Sequence, residues 1–385
     1  MATNAIKSDR PRLLIADDQP DVGEALRFAL REDGYQFKQV VSPAAVLDAV
    51  EAQEFDVALL DLNYARDTTS GREGLELIEH VHRINGDLPI VVMTGWASIE
   101  LAVEAMQRGA GDFVQKPWDN AALRRALRTQ LAVGQARREA RSRERENARE
   151  WADAFTAQRR LLPRTLPELP GFELVAAFRP AGILAGDYYD VLLLGEGRAL
   201  LCIGDVAGKG AAAALVMSNL QAAVKSCVEE NIRPIDLCRR VNRILCENCE
   251  PGRFVTFFCC VLDTQRKTLT YVNAGHNPPL VARPNGSLLQ LGDGGPVLGE
   301  FPDWSAAQGE IELRPSDRIV FYTDGITEAT NSATEEFGVE RLADLVISNR
   351  TASAAELHAR VLAEAIRFAG GSFADDATLL VLAAR

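Results

Sequence analysis

The sequence predicts a multidomain chain: an N-terminal α/β doubly wound parallel sheet, a long helical linker, and a C-terminal α+β sandwich. Three observations predict it. Residues 1–119 alternate short apolar runs with amphipathic stretches; residues 120–160 crowd arginine with glutamate and contain no proline and one glycine, Gly134. Beyond Pro163, Pro167 and Pro170, which cannot continue a helix, residues 161–385 carry many apolar, β-branched runs and fewer helical patterns. A length of 385 residues exceeds one ordinary core.

In the first segment, Leu13 to Ala16, Val57 to Leu60, Pro89 to Met93 and Phe113 to Gln115 read as strands. Val22 to Glu32, Gly74 to Arg83 and Ile99 to Gln107 repeat apolar residues at helical spacing. Such alternation requires crossovers, hence a parallel sheet covered on both faces, with ligands at the carboxyl ends of its strands. In the linker, Arg137-Arg138-Glu139 and Arg143-Glu144-Arg145-Glu146 place opposite charges three and four apart, the mark of a solvated helix. Leu123, Ala126, Val133, Ala140, Trp151, Ala154 and Leu161 fit a heptad seam that Arg137, Glu144 and Asn147 interrupt. A weak parallel coiled coil, which would make the chain a homodimer, and a monomeric spacer both satisfy this pattern. In the last segment, Ala199 to Ile203, Phe254 to Leu262, Thr268 to Val272 and Arg318 to Tyr322 read as strands, and Ala211 to Glu229, Ile235 to Cys246 and Ala354 to Phe368 as helices.

A net charge of −12 argues against a nucleic-acid-binding face. No apolar run reaches the roughly 20 residues that span a bilayer, and Met1 to Arg10 lacks an apolar signal core, so a cytoplasmic chain with no membrane partner is expected. Of seven cysteines, Cys246 and Cys249 form a CxxC in a helical segment with no second pair and no nearby histidine, short of a closed zinc site. Cys259 and Cys260 read as strand core.

Four features of the first segment fall at strand ends: Asp17 and Asp18, Asp61, Thr94, and Lys116 before Pro117. In a parallel sheet they converge on one edge. Three clustered carboxylates need a cation, and all-oxygen ligation by Asp17, Asp18 and Asp61 suits Mg2+. Asp61 is then a carboxylate nucleophile toward a phosphoryl group, with Lys116 and the Thr94 hydroxyl on the phosphoryl oxygens. Through Ile15-Ala16-Asp17-Asp18, Leu60-Asp61-Leu62, Met93-Thr94-Gly95 and Lys116-Pro117, this segment resembles the receiver domain of two-component response regulators. The resemblance implies a flavodoxin-like sheet, phosphorylation of Asp61 by a sensor histidine kinase, and a conformational switch at Thr94 and Phe113. One departure is the stretch from Asn63 to Gly71, which borders the phosphorylation pocket and replaces a shorter loop.

The last segment contains four acidic motifs: Gly186-Asp187-Tyr188-Tyr189-Asp190, Gly204-Asp205-Val206-Ala207-Gly208-Lys209-Gly210, Thr323-Asp324-Gly325 and Asp375-Asp376-Ala377-Thr378. One acidic turn is ordinary. Four in one segment, three of them beside predicted strands (Leu200 to Ile203, Ile319 to Tyr322 and Leu379 to Leu382), suggest a centre for two hard ions about 3.5–4 Å apart that activate water for attack on phosphorus. Together with Leu161-Leu162-Pro163, Asn273 to Pro279 and Phe337 to Leu342, they resemble the PPM-type metal-dependent phosphatases of the SpoIIE/RsbU-like branch. The resemblance implies two Mn2+ or Mg2+ ions, bridged by Asp205. Asp324 and Asp375 would complete one shell, and the Val206 carbonyl with Asp187 the other. Asp190 and Asp376 have no settled part, Asp376 orienting its neighbour or serving a third ion. Relatives carry histidine at Lys209, a better acid near neutral pH than lysine, and glycine at Ala185. His276 reads as catalytic or as a structural hydrogen-bonding residue in its turn.

The combined expectation is a response regulator whose output is serine/threonine phosphatase activity. By resemblance its substrate is a phosphoprotein, an anti-sigma-factor antagonist. A phosphorylation-responsive scaffold and a small-molecule phosphatase are the alternatives.

Overall fold

The structure is a computed structural model that describes residues 10–64, 72–95, 99–250 and 252–385. The chain divides into two compact units, Met1–Ala148 and Arg149–Arg385.

The first unit runs β1 (Arg12–Ala16), α1 (Pro20–Ala29), β2 (Gln36–Val40), α2 (Pro43–Ala52), β3 (Val57–Asp61), α3 (Arg72–Ile84), β4 (Ile90–Thr94), α4 (Ile99–Gln107) and β5 (Asp112–Gln115), then enters α5 (Asn120–Arg159). The strands pair in parallel in the order β2-β1-β3-β4-β5, as the strand–helix alternation predicts. All five residues of β3 and of β4 are buried, which marks central strands covered on both faces. One core lies under α2 and α3; the other sets Leu13, Ile15, Val91 and Val114 against Leu26 and against Leu123, Ala126 and Leu127 of α5. Two of the seven expected seam positions, Leu123 and Ala126, therefore belong to this core rather than to a helix–helix seam. Gly134 lets α5 approach closely, because a Cβ there would stand 2.5 Å from the Pro89 ring. Farther along, the helix carries ion pairs from Arg138 to Asp56 and from Arg141 to Asp87. Residues 65–71, which hold most of the long loop after Asp61, lie outside the described residues.

The second unit contains β6 (Phe172–Arg179), β7 (Tyr188–Gly195), β8 (Arg198–Val206), α6 (Ala211–Cys227), α7 (Pro234–Asn248), β9 (Val255–Asp263), β10 (Thr268–Ala274), β11 (Leu280–Ala282), β12 (Leu288–Gln290), β13 (Gly294–Gly295), β14 (Gly309–Glu312), β15 (Arg318–Tyr322), α8 (Asp324–Thr327), α9 (Gly338–Ser348), α10 (Ala354–Phe368) and β16 (Ala377–Ala384). One sheet has the order β13-β10-β9-β8-β7, with β14 also on β10; the other has β12-β11-β15-β16-β6. Their inner faces share a core in which the Phe258 ring lies 5.7 Å from that of Phe321. Helices α6 and α7 cover the first sheet, and α9 and α10 the second. Apolar residues on both faces of β15 and β16 follow from this layering: Phe321 and Leu380 face the other sheet, Val320 and Val381 the helices. Helix α9 replaces what the sequence shows only as a motif around Phe337.

Candidate functional site: two carboxylate centres

In the first unit the strand ends bring the expected residues together. Asp17, Asp18 and Asp61 each offer a carboxylate oxygen, and these oxygens lie within 4.8 Å of one another. Lys116, following β5, places Nζ 2.6 Å from Asp17 Oδ2 and 2.8 Å from Asp61 Oδ2. Thr94 ends β4 and is fully buried. Burial pushes the Asp61 carboxyl up, and Lys116 opposes the shift. A carboxyl trio with Asp17 and Asp61 buried, Asp18 half-buried and one ammonium between two of its members fits a hard cation with oxygen ligands. Phe113, the expected switch aromatic, is 45% exposed on β5. The phenol of Tyr64, three residues past Asp61, is buried and without a hydrogen-bond partner.

In the second unit the two sheets meet at one end through Asp187. Asp187 precedes β7, whose Tyr188 pairs with Gly204 of β8, so Asp205 and Val206 at the end of β8 lie alongside. Asp324 opens α8 just past β15, and Asp375 and Asp376 precede β16; Tyr322 and Leu379 are register partners, so these acids share the other sheet's corresponding end. Thr323 and Thr378 join the sheets: both hydroxyls donate to Asp187 Oδ2, at 2.8 and 2.6 Å. Asp187 Oδ1 is buried with no hydrogen-bond partner. At Gly186 a Cβ would lie 3.2 Å from the Val206 carbonyl oxygen and 3.4 Å from Asp205 Oδ1, so both oxygens flank the backbone that carries Asp187.

Electrostatically the cluster is underneutralised. Burial, then the charges of Asp324, Asp375 and Asp376, push Asp205 up to about 7. Burial and Asp205 raise Asp187 well above the carboxylate range, and burial and Asp375 raise Asp324. Lys209 Nζ is 2.6 Å from Asp375 Oδ2, and this hydrogen bond raises the lysine's pKa. The residues fit divalent cations: an orphaned buried carboxylate oxygen, the Val206 carbonyl oxygen and carboxyls that outnumber the ammonium beside them lie together. They are spread more widely than the trio of the first unit, which fits a pair of ions completing their shells with water.

Two expected acids are occupied otherwise. Asp376 accepts from Ala181 N at 2.9 Å and Gly186 N at 2.7 Å, fastening the loop ahead of Asp187. Asp190 accepts from Val191 N and the Tyr188 hydroxyl and pairs with Lys225 Nζ at 3.5 Å. His276 is buried in its turn, where the Asn273 side chain binds both its N–H and its carbonyl, and its Nδ1 lies 2.9 Å from Thr256 Oγ1. Burial pushes its pKa down to about 4. Cys246 bonds Asn242, and among the described residues the CxxC joins no group of three metal-ligating side chains. Thr323 and Thr378 had been visible only as neighbours of aspartates; nothing in a hydroxyl's sequence position shows that two of them face one carboxylate across paired strands.

A family model described as Stage II sporulation protein E (SpoIIE) matches residues 195–385, and one described as Response regulator receiver domain matches residues 13–128. Asp187 lies ahead of the first of these, so its place in the centre rests on geometry. Protein IcfG of Synechocystis sp. is 29% identical over 254 residues, which are 58% of this chain and 40% of IcfG. Phosphoserine phosphatase RsbU of Bacillus subtilis is 31% identical over 232 residues, 60% of this chain and 68% of RsbU. A solved structure of the RsbU and RsbW domains of a Mycobacterium tuberculosis protein is similar with a TM-score of 0.51 and 28% identity, over 57% of this chain and 63% of that one. Among the described residues no helix is long and apolar enough to cross a membrane. With its two carboxylate centres and these matches, the chain belongs to the SpoIIE/RsbU-type PPM family of metal-dependent serine/threonine protein phosphatases, here joined to a response-regulator receiver domain.

Proposed function

We propose that this chain is a response regulator in which phosphorylation of Asp61 controls hydrolysis of a phosphoserine or phosphothreonine ester in a protein substrate. The observation that carries the reading is the gathering of Asp187, Asp205, Asp324, Asp375 and the Val206 carbonyl with Lys209 on Asp375 as the one ammonium that the described residues pair with these acids. In this reading residues 1–119 are the receiver, 120–160 the linker and 161–385 the phosphatase. Asp205, Asp324, Asp375, Asp187 through Oδ1 and the Val206 carbonyl would hold two Mn2+ or Mg2+ ions. Such ions supply Lewis acidity toward the phosphoryl oxygens and a more acidic water. The chain's own residues set their positions: Thr323 and Thr378 orient Asp187, and Asp376 fixes the loop before it. Lys209, hydrogen-bonded to Asp375, holds its proton more firmly than a free lysine and is a positive charge beside the centre.

In the receiver, Asp17, Asp18 and Asp61 would hold one Mg2+. Asp61 Oδ attacks the phosphoryl group of a histidine kinase's phosphohistidine; a P–O bond forms as the P–N bond breaks, and the imidazole leaves. Lys116 then pairs with the phosphoryl oxygens, and Thr94 and Phe113 repack. Residues 139–153 of α5 are exposed on every side, a helix with no burial of its own; in this proposal it pairs with α5 of a second copy. The similarity to phosphoserine phosphatase RsbU supports a phosphoprotein substrate, an anti-sigma-factor antagonist in this proposal.

The test is Mn2+- or Mg2+-dependent hydrolysis of a chromogenic phosphate ester and of a phosphorylated antagonist protein. Wild type, Asp205→Ala and Asp61→Ala are compared with and without a small phosphodonor. Turnover should vanish in Asp205→Ala, and the phosphodonor's effect should vanish in Asp61→Ala. Metal-independent turnover, or none on either substrate, overturns the reading.

A further inference from the structure

We propose that Gln158 is a positioning residue for the C-terminal divalent-cation centre, acting through the backbone that carries Asp187. The inference rests on the reading of that centre given above. Gln158 lies in the last turn of α5 and is 8% exposed, while the flanking Ala157 and Arg159 are exposed. Its carboxamide makes a two-point contact with one residue: Nε2 donates to the Ala185 carbonyl at 2.8 Å, and the Ala185 N–H donates to Oε1 at 3.0 Å. A primary amide presents a donor and an acceptor side by side, as a neighbouring strand's peptide does, so Gln158 substitutes for a missing strand at this point.

The place of the contact gives it consequence. Residues 181–187 form no regular secondary structure and so lack a ladder to fix their path. They are held by individual bonds: Asp376 takes the N–H groups of Ala181 and Gly186, and the Thr323 and Thr378 hydroxyls take Asp187 Oδ2. These fastenings all come from the ends of β15 and β16. Gln158 is the fastening supplied by α5, and it acts on the residue next to Gly186, whose Cα sits against the Val206 carbonyl and Asp205 Oδ1. Ala185 is 2% exposed, so without the amide both its backbone groups lose their partners in a buried place and the segment must shift to regain them. Asp187 Oδ1 would move with it, and a ligand displaced by a fraction of an ångström binds its ion less tightly.

The test uses the full chain carrying Asp17→Asn and Asp61→Asn, which removes ion uptake by the receiver. Binding of Mn2+ is followed by the loss of the free-ion electron paramagnetic resonance signal. In this background Asp205→Ala should abolish tight uptake, and Gln158→Leu should raise the Mn2+ dissociation constant roughly 10-fold. Gln158→Glu, which still accepts from the Ala185 N–H but cannot donate to its carbonyl, should fall between. Ester hydrolysis by Gln158→Leu should approach the level of the background chain at high Mn2+, whereas a merely misfolded fraction would lower it at every concentration and leave the dissociation constant unmoved. An unchanged dissociation constant in both Gln158 variants, with uptake lost in Asp205→Ala, overturns this inference alone. Uptake retained in Asp205→Ala overturns the metal centre and the inference with it.

Discussion

Replacing Asp205 by asparagine should stabilise the metal-free protein at pH 8 and destabilise it relative to wild type once Mn2+ is added. Burial and the surrounding aspartates raise this carboxyl from 3.8 to about 7. Between those values the folded chain retains a proton that the unfolded chain releases. Unfolding there sheds protons, so stability falls as pH rises from 3.8 and the loss is complete above 7. At about 1.4 kcal/mol for each pH unit of that window, the loss approaches about 4 kcal/mol. An amide does not ionise and escapes it. For a unit of this size that is a ceiling of roughly 8–16 °C in the melting temperature. Calorimetry of wild type and Asp205→Asn in EDTA at pH 4.5 and pH 8 measures it, with the receiver's transition as internal reference. The gap should be small at pH 4.5 and wide at pH 8. With Mn2+ at a hundred times the dissociation constant of each of the two proposed sites, wild type gains about 2.7 kcal/mol per ion, about 5.4 kcal/mol in all, and the variant much less, so the order reverses. A variant no more stable than wild type in EDTA at pH 8, or a gap that is the same at both pH values, would refute the argument that the cluster lacks counter-charge.

Two further outcomes follow from packing and titration. Gly134→Leu should lower the stability of the first unit by about 1–3 kcal/mol in urea unfolding, because its side chain meets the Pro89 ring at the closest approach of α5; a neutral result would show that the helix yields freely there. His276, held down to about 4 by burial against an ordinary value of 6.5, contributes stability that is full above pH 6.5 and lost as pH falls toward 4. His276→Gln should therefore flatten that acid slope, about 3 kcal/mol at most across the window, and a slope as steep as wild type's would count against the buried neutral imidazole.

Periodicity in the sequence located what was amphipathic or continuously apolar. Helices α4 and α10 match their expected spans residue for residue, and β3 and β4 match within a residue at each end. Strand β2 escaped because Gln36–Val40 is an edge strand with only Val40 buried, so its apolar signal is thin. Helix α2 carries its own start signal, Ser42 accepting from Ala45 N ahead of Pro43, but its apolar pattern is short. The heptad seam failed at Leu123 and Ala126 for a different reason: a helix whose first turns pack on the first unit's sheet and whose later turns are exposed shows one period for two different burials.

The acidic residues were legible and their division of labour was not. Charge announces a carboxylate in a sequence, but whether it binds a cation depends on how many of its lone pairs are already satisfied, and that is settled by register and by loops. Asp376 has both oxygens on backbone N–H groups, and Asp190 has a backbone N–H, a phenol and Lys225. Asp187 has two hydroxyls on one oxygen and nothing on the other. At Asp205 and Asp324, burial and neighbouring carboxyls outweigh every donor. In the proposed centre the same residue type builds both the cage and its supports: Asp376 and Asp190 hold the chain, Asp187, Asp205 and Asp324 are left for the ions, and Asp375, which accepts from Asp376 N and pairs with Lys209, would have to exchange the lysine for an ion. The supports include Gln158, Thr323 and Thr378, uncharged residues whose part becomes visible only when the strands that present Asp187 are paired.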